Sequence, residues 1–568
     1  MTMFKYKIPQ NEIMQSLLEF KKTFRTVGIF SAIINLLMIA PSIYMLQVFD
    51  RVLSSRNETT LLMLTLMVLG TYLLICALET IRSFILIRVG MKLDEKMNSR
   101  VYTASFEHNL KNAGGNAGQA LQDLTNIRQF LTGNGLFAFF DAPWFPIYIA
   151  IIFLFNPILG TFALVGTLIL IVLAYMNEVV SKKPLEEASN ISVTSNNLAT
   201  NNLRNAEVIS AMGMLPNLMT RWLKLNNRFL QLQAEASEKS GIVAALTKFV
   251  RMAMQSLILG IGALLVLDGE ISPGMMIVAS ILMGRATAPV DQLIGVWKSW
   301  TNTRSAYNRL NILLEDNPIN KFGMSLPSPT GQISVESVTA APPNSPIAVI
   351  KNLSFTVDAG DTLGVIGPSG SGKSTLARLL VGVWSTTLGK VRLDGADISQ
   401  WDKNDLGSSI GYLPQDVELF AGKVSENIAR FGEIDSEKVI TAAKLAGVHD
   451  MILHLPKGYD TILGDNGSGL SGGQKQRIGL ARSMYNDPAL IILDEPNSNL
   501  DDVGERALVS AINELKKRGK TIILLTHRTS TLSTTNKLLV LRNDMNPLFG
   551  LTSEVVLELS KQPLTSIS

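Results

Sequence analysis

The chain has almost no cysteine and little charge. Of its 568 residues one is cysteine, Cys76, which has no partner within the chain and excludes a disulfide-stapled secreted scaffold. Asp, Glu, Lys and Arg together make up 17%, against 47% hydrophobic residues. At roughly 150 residues per domain the length alone would suggest three or four soluble domains. There is too little charge to clothe that many globules, and with a mean hydropathy of +0.24 apolar surface must face something other than water. A lipid bilayer is the first candidate, and the same figures exclude disorder. The formal charge of +4 and a pI near 8.9 are too mild to indicate a nucleic-acid partner; a modest Lys/Arg excess is what cytoplasmic loops of membrane proteins carry.

Apolar runs fill the first three hundred positions, after which the chain reads as an ordinary α/β domain. Six segments are long enough to cross about 30 Å of hydrocarbon, near 27–46, 61–81, 136–155, 159–176, 245–267 and 271–293. Only Phe155–Pro157 joins the third to the fourth, and only DGEISPG the last two, so each pair is a tight hairpin emerging on one side. The other connections, near 82–135 and 177–244, are long and rich in Lys and Arg, and the tail before the first span carries Lys21, Lys22 and Arg25. The positive-inside rule therefore places both termini in the cytoplasm. The long connections read as helices continuing past the bilayer for about 30 Å, turning near Gly114, Gly115 and Gly118 and again near 196–208. Pro41 is expected to kink the first span, which lacks a small-residue cleavage site and is read as a retained span, not a signal peptide. The resulting division is an N-terminal tail over 1–26, a six-span region over 27–310, a linker rich in Asn, Pro, Gly and Ser over 311–330, an α/β domain over 331–560 and a polar tail over 561–568.

The second half carries the chemistry. GPSGSGKS, from Gly367 to Ser374, follows a strand-like TLGVIG and precedes the helical STLARLLVGVW. It matches the G-x-x-x-x-G-K-[S/T] phosphate loop. Through Gly367, Pro368, Ser369, Gly370, Ser371 and Gly372 the loop folds so that its backbone N–H groups, those of every residue but the proline, close around phosphate oxygens. Lys373 reaches the β and γ phosphates, Ser374 offers a hydroxyl to Mg2+, and Thr375 belongs to the helix end that adds positive potential. Downstream, ALIILDEP ends an apolar strand on Asp494 and Glu495, one carboxylate for Mg2+ and one to orient and activate the attacking water. Between them LSGGQ opens an amphipathic helix with Ser471, Gly472, Gly473 and Gln474, a second anion-binding terminus. Two phosphate-binding ends for one nucleotide point to a homodimer in which the Ser471 end of one protomer closes over ATP held by the Lys373 loop of the other.

Phosphate loop, LSGGQ and acidic strand end, in this order, resemble the ATP-binding cassette ATPases over residues 331–560. The resemblance implies that Gln415 in YLPQD senses Mg2+ and contacts the membrane domain. It likewise implies that His527 in LLTHR contacts the γ-phosphate and that Asp501 in NSNLD lies in a loop crossing the dimer interface. His108, His449 and His454 match no motif. Where the superfamily usually stacks an aromatic residue on adenine, this chain departs from the pattern with Ala341 before Pro342.

Six spans followed by a cassette resemble a half-transporter of the exporter class, so the expected fold class is a membrane α-helical bundle fused to an α/β P-loop cassette. Residues 44–65, 139–160 and 203–214 resemble the type I secretion permease/ATPases, in the branch exporting alkaline proteases, lipases and haemophores. That resemblance implies a Gram-negative inner-membrane pump with ATP and Mg2+ as cofactors. Its partners would be a periplasmic membrane fusion protein and an outer-membrane channel of the TolC type. Its cargo would be an unfolded polypeptide with an uncleaved C-terminal signal. The alternative is a lipid or small-amphiphile exporter on the same fold; a third reading is a gate that uses ATP only as a switch. With about 26 residues before the first span, no leader-peptidase domain is expected. Glu79, Arg82, Lys248 and Arg251 fall near the cytoplasmic interface, where long side chains snorkel. Arg285, deep in the sixth span, is expected to line the cargo path or to pair with an acid across the dimer.

Overall fold

A computed structural model of the chain describes residues 11–111, 117–319, 326–343, 345–526, 528–542 and 546–561. It divides into two compact units, one formed mainly by residues up to Ile319 and the other mainly from Asn320 onward.

In the first unit six helices are long and apolar enough to span a membrane: Lys21–Ser55, Glu58–Lys111, Gly135–Phe155, Pro157–Arg204, Leu215–Leu267 and Pro273–Asp316. The four longest hold 54, 48, 53 and 44 residues, about 65–80 Å each at 1.5 Å per residue. They extend well past the apolar segments; the fourth runs about 40 Å beyond residue 176, further than the sequence suggests. Its reversal is built by a short helix, Ala206–Ala211, near the expected turn. The other turn, with Gly114 and Gly115, lies outside the described residues; Gly118 falls in the first turn of the helix Ala117–Thr132.

Proline marks two of the helix breaks, whereas Pro184 and Pro289 lie inside unbroken helices. The first span stops at Leu37 and restarts at Ala40 with Pro41 in its first turn, where a missing N–H costs nothing. The third is split by a 3-10 turn, Ala142–Trp144, around Pro143. Between the fourth and fifth spans the end of the Met254 side chain lies over Gly166, in space that a Cβ there would take.

Polar ties gather the two tight turns at one end. Asn156 caps the fourth span by accepting from the Ile158 N–H at 2.8 Å and donates to Glu270 at 2.9 Å. Asp50 accepts from the Ser272 hydroxyl at 2.6 Å and from the Gly274 N–H at 2.9 Å, capping the sixth span.

Part of the stretch read as linker and part of the one read as N-terminal tail are helical. Residues 311–316, assigned to the linker, continue the sixth helix, because Leu310 and Leu314 lie one turn apart and bury against Leu93, Met97 and Val101. The tail before the first span contains the helix Glu12–Glu19, which places Ile13 in the same cluster. Arg100 secures both: it holds the Glu12 carboxylate with bonds of 2.8 and 2.9 Å and donates to the carbonyls of Leu314 and Asn317 at 3.3 and 2.7 Å. The charge-poor composition hid this, because polar chain ends here are bound by one arginine and not by a long apolar stripe.

Among the described residues the second unit holds twelve strands. These are β1 (Ile333–Ala340), β2 (Ile350–Val357), β3 (Thr362–Ile366), β4 (Leu388–Leu393), β5 (Ala396–Asp397), β6 (Ile410–Leu413), β7 (Gly422–Lys423), β8 (Ile462–Leu463), β9 (Leu490–Asp494), β10 (Thr521–Leu525), β11 (Lys537–Val540) and β12 (Leu548–Leu551). An antiparallel sheet has the order β2-β1-β4-β5, and a six-stranded sheet the order β12-β11-β3-β10-β9-β6, parallel except for β12. The central strands β9 (LIILD) and β10 (TIILL) are buried throughout, as parallel strands covered on both faces must be. Leu490, Ile492, Ile523 and Leu525 point into one core; Ile491, Leu493, Ile522 and Leu524 point into the other.

Candidate functional site

Four of the sequence motifs follow the C-terminal ends of neighbouring parallel strands: the phosphate loop after β3, Gln415 after β6, Asp494 and Glu495 at the end of β9, and His527 after β10. In open α/β sheets ligands bind at this edge. His527 itself lies outside the described residues, between the buried Thr526 and the exposed Arg528.

The phosphate loop takes the conformation its glycines require. Gly370 and Gly372 sit at φ +83° and +93°, left-handed backbone that a side chain would strain. Lys373, nearly buried, lays its ammonium over the loop and donates to the carbonyls of Gly367 and Pro368 at 2.8 and 3.0 Å. The hydroxyl of Ser371 is buried without a partner. Ser374, in the first turn of the helix Lys373–Leu380, lies close enough to the Asp494 carboxylate to favour its ionised form, which brings together the two groups expected to share a metal. Asp494 is 1% exposed, and its Oδ1 has no hydrogen-bond partner. Burial pushes its carboxyl above the ordinary range and the neighbouring Glu495 charge pushes the same way, while Ser374, Arg378 and Lys373 pull it back. Orphaned oxygens beside an ammonium, around a nest of backbone N–H groups, fit a triphosphate and a hard divalent cation.

Glu495 is held in left-handed backbone at φ +48°, which costs a non-glycine residue about 1–2 kcal/mol. Its N–H donates to the Leu525 carbonyl at 2.9 Å, its own carbonyl accepts from Gln476 Nε2 at 3.1 Å, and its Oε2 accepts from Gln415 Nε2 at 3.1 Å. Backbone strain pinned on both sides of the peptide aims this carboxylate.

Gln476 was not among the residues read as functional. Two positions past the LSGGQ glutamine and 1% exposed, it also accepts from the Ser498 hydroxyl and the Asn499 N–H at 3.3 and 3.2 Å. A buried Gln in an otherwise apolar helix face, IGLARSM following, was the available signal. The signature helix Gly472–Met484 begins with a capping box: Ser471 Oγ accepts from the Gln474 N–H at 3.3 Å, and Gln474 Oε1 from the Ser471 N–H at 2.9 Å. A Cβ on Gly473 would come within 2.7 Å of the Asn499 carbonyl. Asp501 caps the helix Asp502–Lys517, accepting from Gly504 N–H at 2.8 Å. Ala341 follows β1, and beside it Val349 returns to donate its N–H to Ala340 at 2.9 Å and packs its side chain beside Gly372. Of the other histidines, His449 shares a hydrogen bond with Tyr459 at 2.8 Å and His454 one with the Asp450 carbonyl at 2.6 Å, both structural.

In the first unit two basic residues expected to snorkel are paired instead. Arg82 is 5% exposed, donates to Asp141 at 2.8 Å and to Ser31 at 2.7 Å, and lies 4.3 Å from the centre of the Phe137 ring. Arg251 pairs with Asp291 at 2.9 Å. The acids lie on other helices, far along the chain, so sequence position could not show them. Arg285 lies within electrostatic reach of Tyr148, whose hydroxyl donates to Asn35.

Comparison with known proteins agrees with this construction. Residues 24–290 match the family of the ABC transporter transmembrane region and residues 350–498 the ABC transporter family. The chain is 44% identical to the type I secretion system ATP-binding protein PrsD of Rhizobium meliloti (strain 1021), over 94% of this chain and 92% of that protein. It is 27% identical to the leukotoxin export ATP-binding protein LtxB of Aggregatibacter actinomycetemcomitans, over 93% of this chain and 75% of the relative. A bacterial Atm1-family ABC exporter with ATP bound shares its fold, with a TM-score of 0.79 at 21% identity over 95% of this chain and 96% of that one. The protein is an ABC exporter with an ATP-hydrolysing cassette, a multi-pass membrane protein. It belongs to the type I secretion ATP-binding proteins, the protein-exporting members of that class, and the lipid-exporter alternative falls to this likeness.

Proposed function

We propose that the chain is the homodimeric inner-membrane motor of a type I secretion system, exporting an unfolded polypeptide with an uncleaved C-terminal signal of the protease, lipase or haemophore kind. Its partners are a periplasmic membrane fusion protein and a TolC-type outer-membrane channel, with both termini and the cassette in the cytoplasm. The observation that carries the reading is the 44% identity to a type I secretion protein across both halves of the chain.

Within the cassette, the loop from Gly367 to Thr375 binds the phosphates, with Lys373 exchanging its two carbonyl partners for phosphate oxygens. Ser374, Asp494 and Gln415 would hold Mg2+, which would supply charge neutralisation on the bound nucleotide. Glu495 orients and activates the attacking water, and His527 contacts the γ-phosphate. Ser471, Gly472, Gly473, Gln474 and Asp501 close over the nucleotide of the partner protomer. ATP-driven closure moves the long helical arms and switches the cavity between inward and outward access.

The test is ATP hydrolysis by the reconstituted protein during titration with C-terminal peptides of candidate secreted proteins, with lipids and unrelated peptides as controls. Saturable modulation by the C-terminal peptides is expected. A response to lipid alone would overturn the cargo assignment, and Glu495→Gln hydrolysing at the wild-type rate would overturn the site.

A further inference from the structure

Beyond the apolar segments, on the side opposite the tight turns, the extensions of four helices enclose a cavity of about 510 Å³. Its wall is unusual in what it lacks: among some eighteen lining residues there is no Asp or Glu, and the only charges are Lys298 and Arg309. Arg309 is already committed. It grips the buried Asp123 with bonds of 2.8 and 2.7 Å and donates to Ser189 at 3.2 Å, fixing three of the helices to one another as a rigid back wall. Lys298 pairs with no described carboxylate.

Side-chain amides dominate what remains. Gln129, Asn196, Gln233 and Asn302 face the cavity, and none makes a side-chain hydrogen bond to a described residue. Phe130 and Phe229 add flat apolar surface. An Asn or Gln side chain presents one acceptor and two donors, the complement of a peptide unit, which carries one N–H and one C=O. A wall of such groups grips a main chain whatever its side chains are, which suits an exporter that passes many different residues through one channel. An unpaired ammonium with no opposing carboxylate repels Lys and Arg and favours acidic segments.

We propose that this cavity holds an extended segment of the exported polypeptide, bound through its main-chain amides and selecting uncharged or acidic sequence. The inference rests on the exporter reading above and adds to it the place and chemistry of cargo contact. The volume matches that of ordinary ligand sites, enough for a few residues of extended chain.

The single cysteine makes the test direct. In a Cys76→Ser background, Ser192→Cys places a thiol at the cavity wall for labelling with a maleimide benzophenone. The reconstituted protein is then illuminated with a reduced, carboxymethylated polypeptide, which is unfolded and acidic, or with polylysine of equal length. The expected result is a photoadduct with the carboxymethylated chain and little with polylysine, falling about tenfold when Gln233→Leu and Asn302→Leu are added. Equal labelling of polylysine, or a yield unaffected by the double substitution, would overturn the proposal. Adducts only with a second copy of this chain would also overturn it, showing a protomer contact in place of a cargo site. Basal ATP hydrolysis in the same sample separates the two readings: no adduct with hydrolysis intact removes the cargo site and leaves the exporter assignment standing, whereas loss of both removes both.

Discussion

Replacing Gln476 with Leu keeps the side-chain volume and removes every hydrogen bond that joins the signature helix to the segment after β9. Three bonds are lost, to the Glu495 carbonyl, the Ser498 hydroxyl and the Asn499 N–H. Two backbone groups are then left without their partner, at about 1–3 kcal/mol each. Release of Glu495 from left-handed backbone returns about 1–2 kcal/mol, so the net loss is about 1–4 kcal/mol. At about 2–4 °C per kcal/mol for a unit of this size, the cassette's melting midpoint should fall by about 2–16 °C. Because Lys373 and the phosphate loop make no contact with Gln476 in the hydrogen-bond pattern, nucleotide affinity should persist while kcat falls at least about tenfold. Calorimetry, nucleotide binding and steady-state hydrolysis on one preparation measure all three. An unchanged midpoint together with a kcat within about twofold of wild type would refute the claim that Gln476 aims Glu495.

Asp494→Asn removes a buried carboxylate whose ionised form the fold disfavours, so the nucleotide-free protein should melt higher, while the stabilisation by Mg2+ and ATP is lost. The sign in pH follows from the same raised pKa. The penalty is present where Asp494 is ionised and relieved as pH falls through its folded pKa, and protons then compete with Mg2+. Apparent Mg2+ affinity should weaken on acidification in the wild type and show no such limb in Asp494→Asn; identical profiles would contradict the assignment. Gly473→Ala drives a methyl to 2.7 Å from the Asn499 carbonyl and should slow hydrolysis with little change in nucleotide affinity, read by steady-state kinetics. Arg82→Leu strands Asp141 and should cost up to about 3 kcal/mol in thermal stability in detergent, recovered in part by adding Asp141→Asn. Equal stability of single and double variants would show that the pair is not coupled.

Much of this protein is legible in one dimension. A span is a run of about 20 apolar residues, and a phosphate loop is glycines, lysine and hydroxyl in fixed order, because each depends on neighbours along the chain. Six helices long and apolar enough to cross a membrane, and the strand-loop-helix around Lys373, follow from such local signals. Helix ends were less legible: residues 311–316 look like linker until Leu310 and Leu314 find Leu93, and Glu12 looks like tail until Arg100 takes it. Pairings across the fold were not legible at all. Arg82 with Asp141, Arg309 with Asp123, and Gln476 with the backbone after β9 join residues 59, 186 and 19 positions apart. Sequence determines what each segment can do alone, since propensity and hydropathy act within a few residues. Only the tertiary structure decides which polar groups meet, because a buried charge or amide is satisfied by whichever partner the packing of distant helices and strands brings within 3 Å.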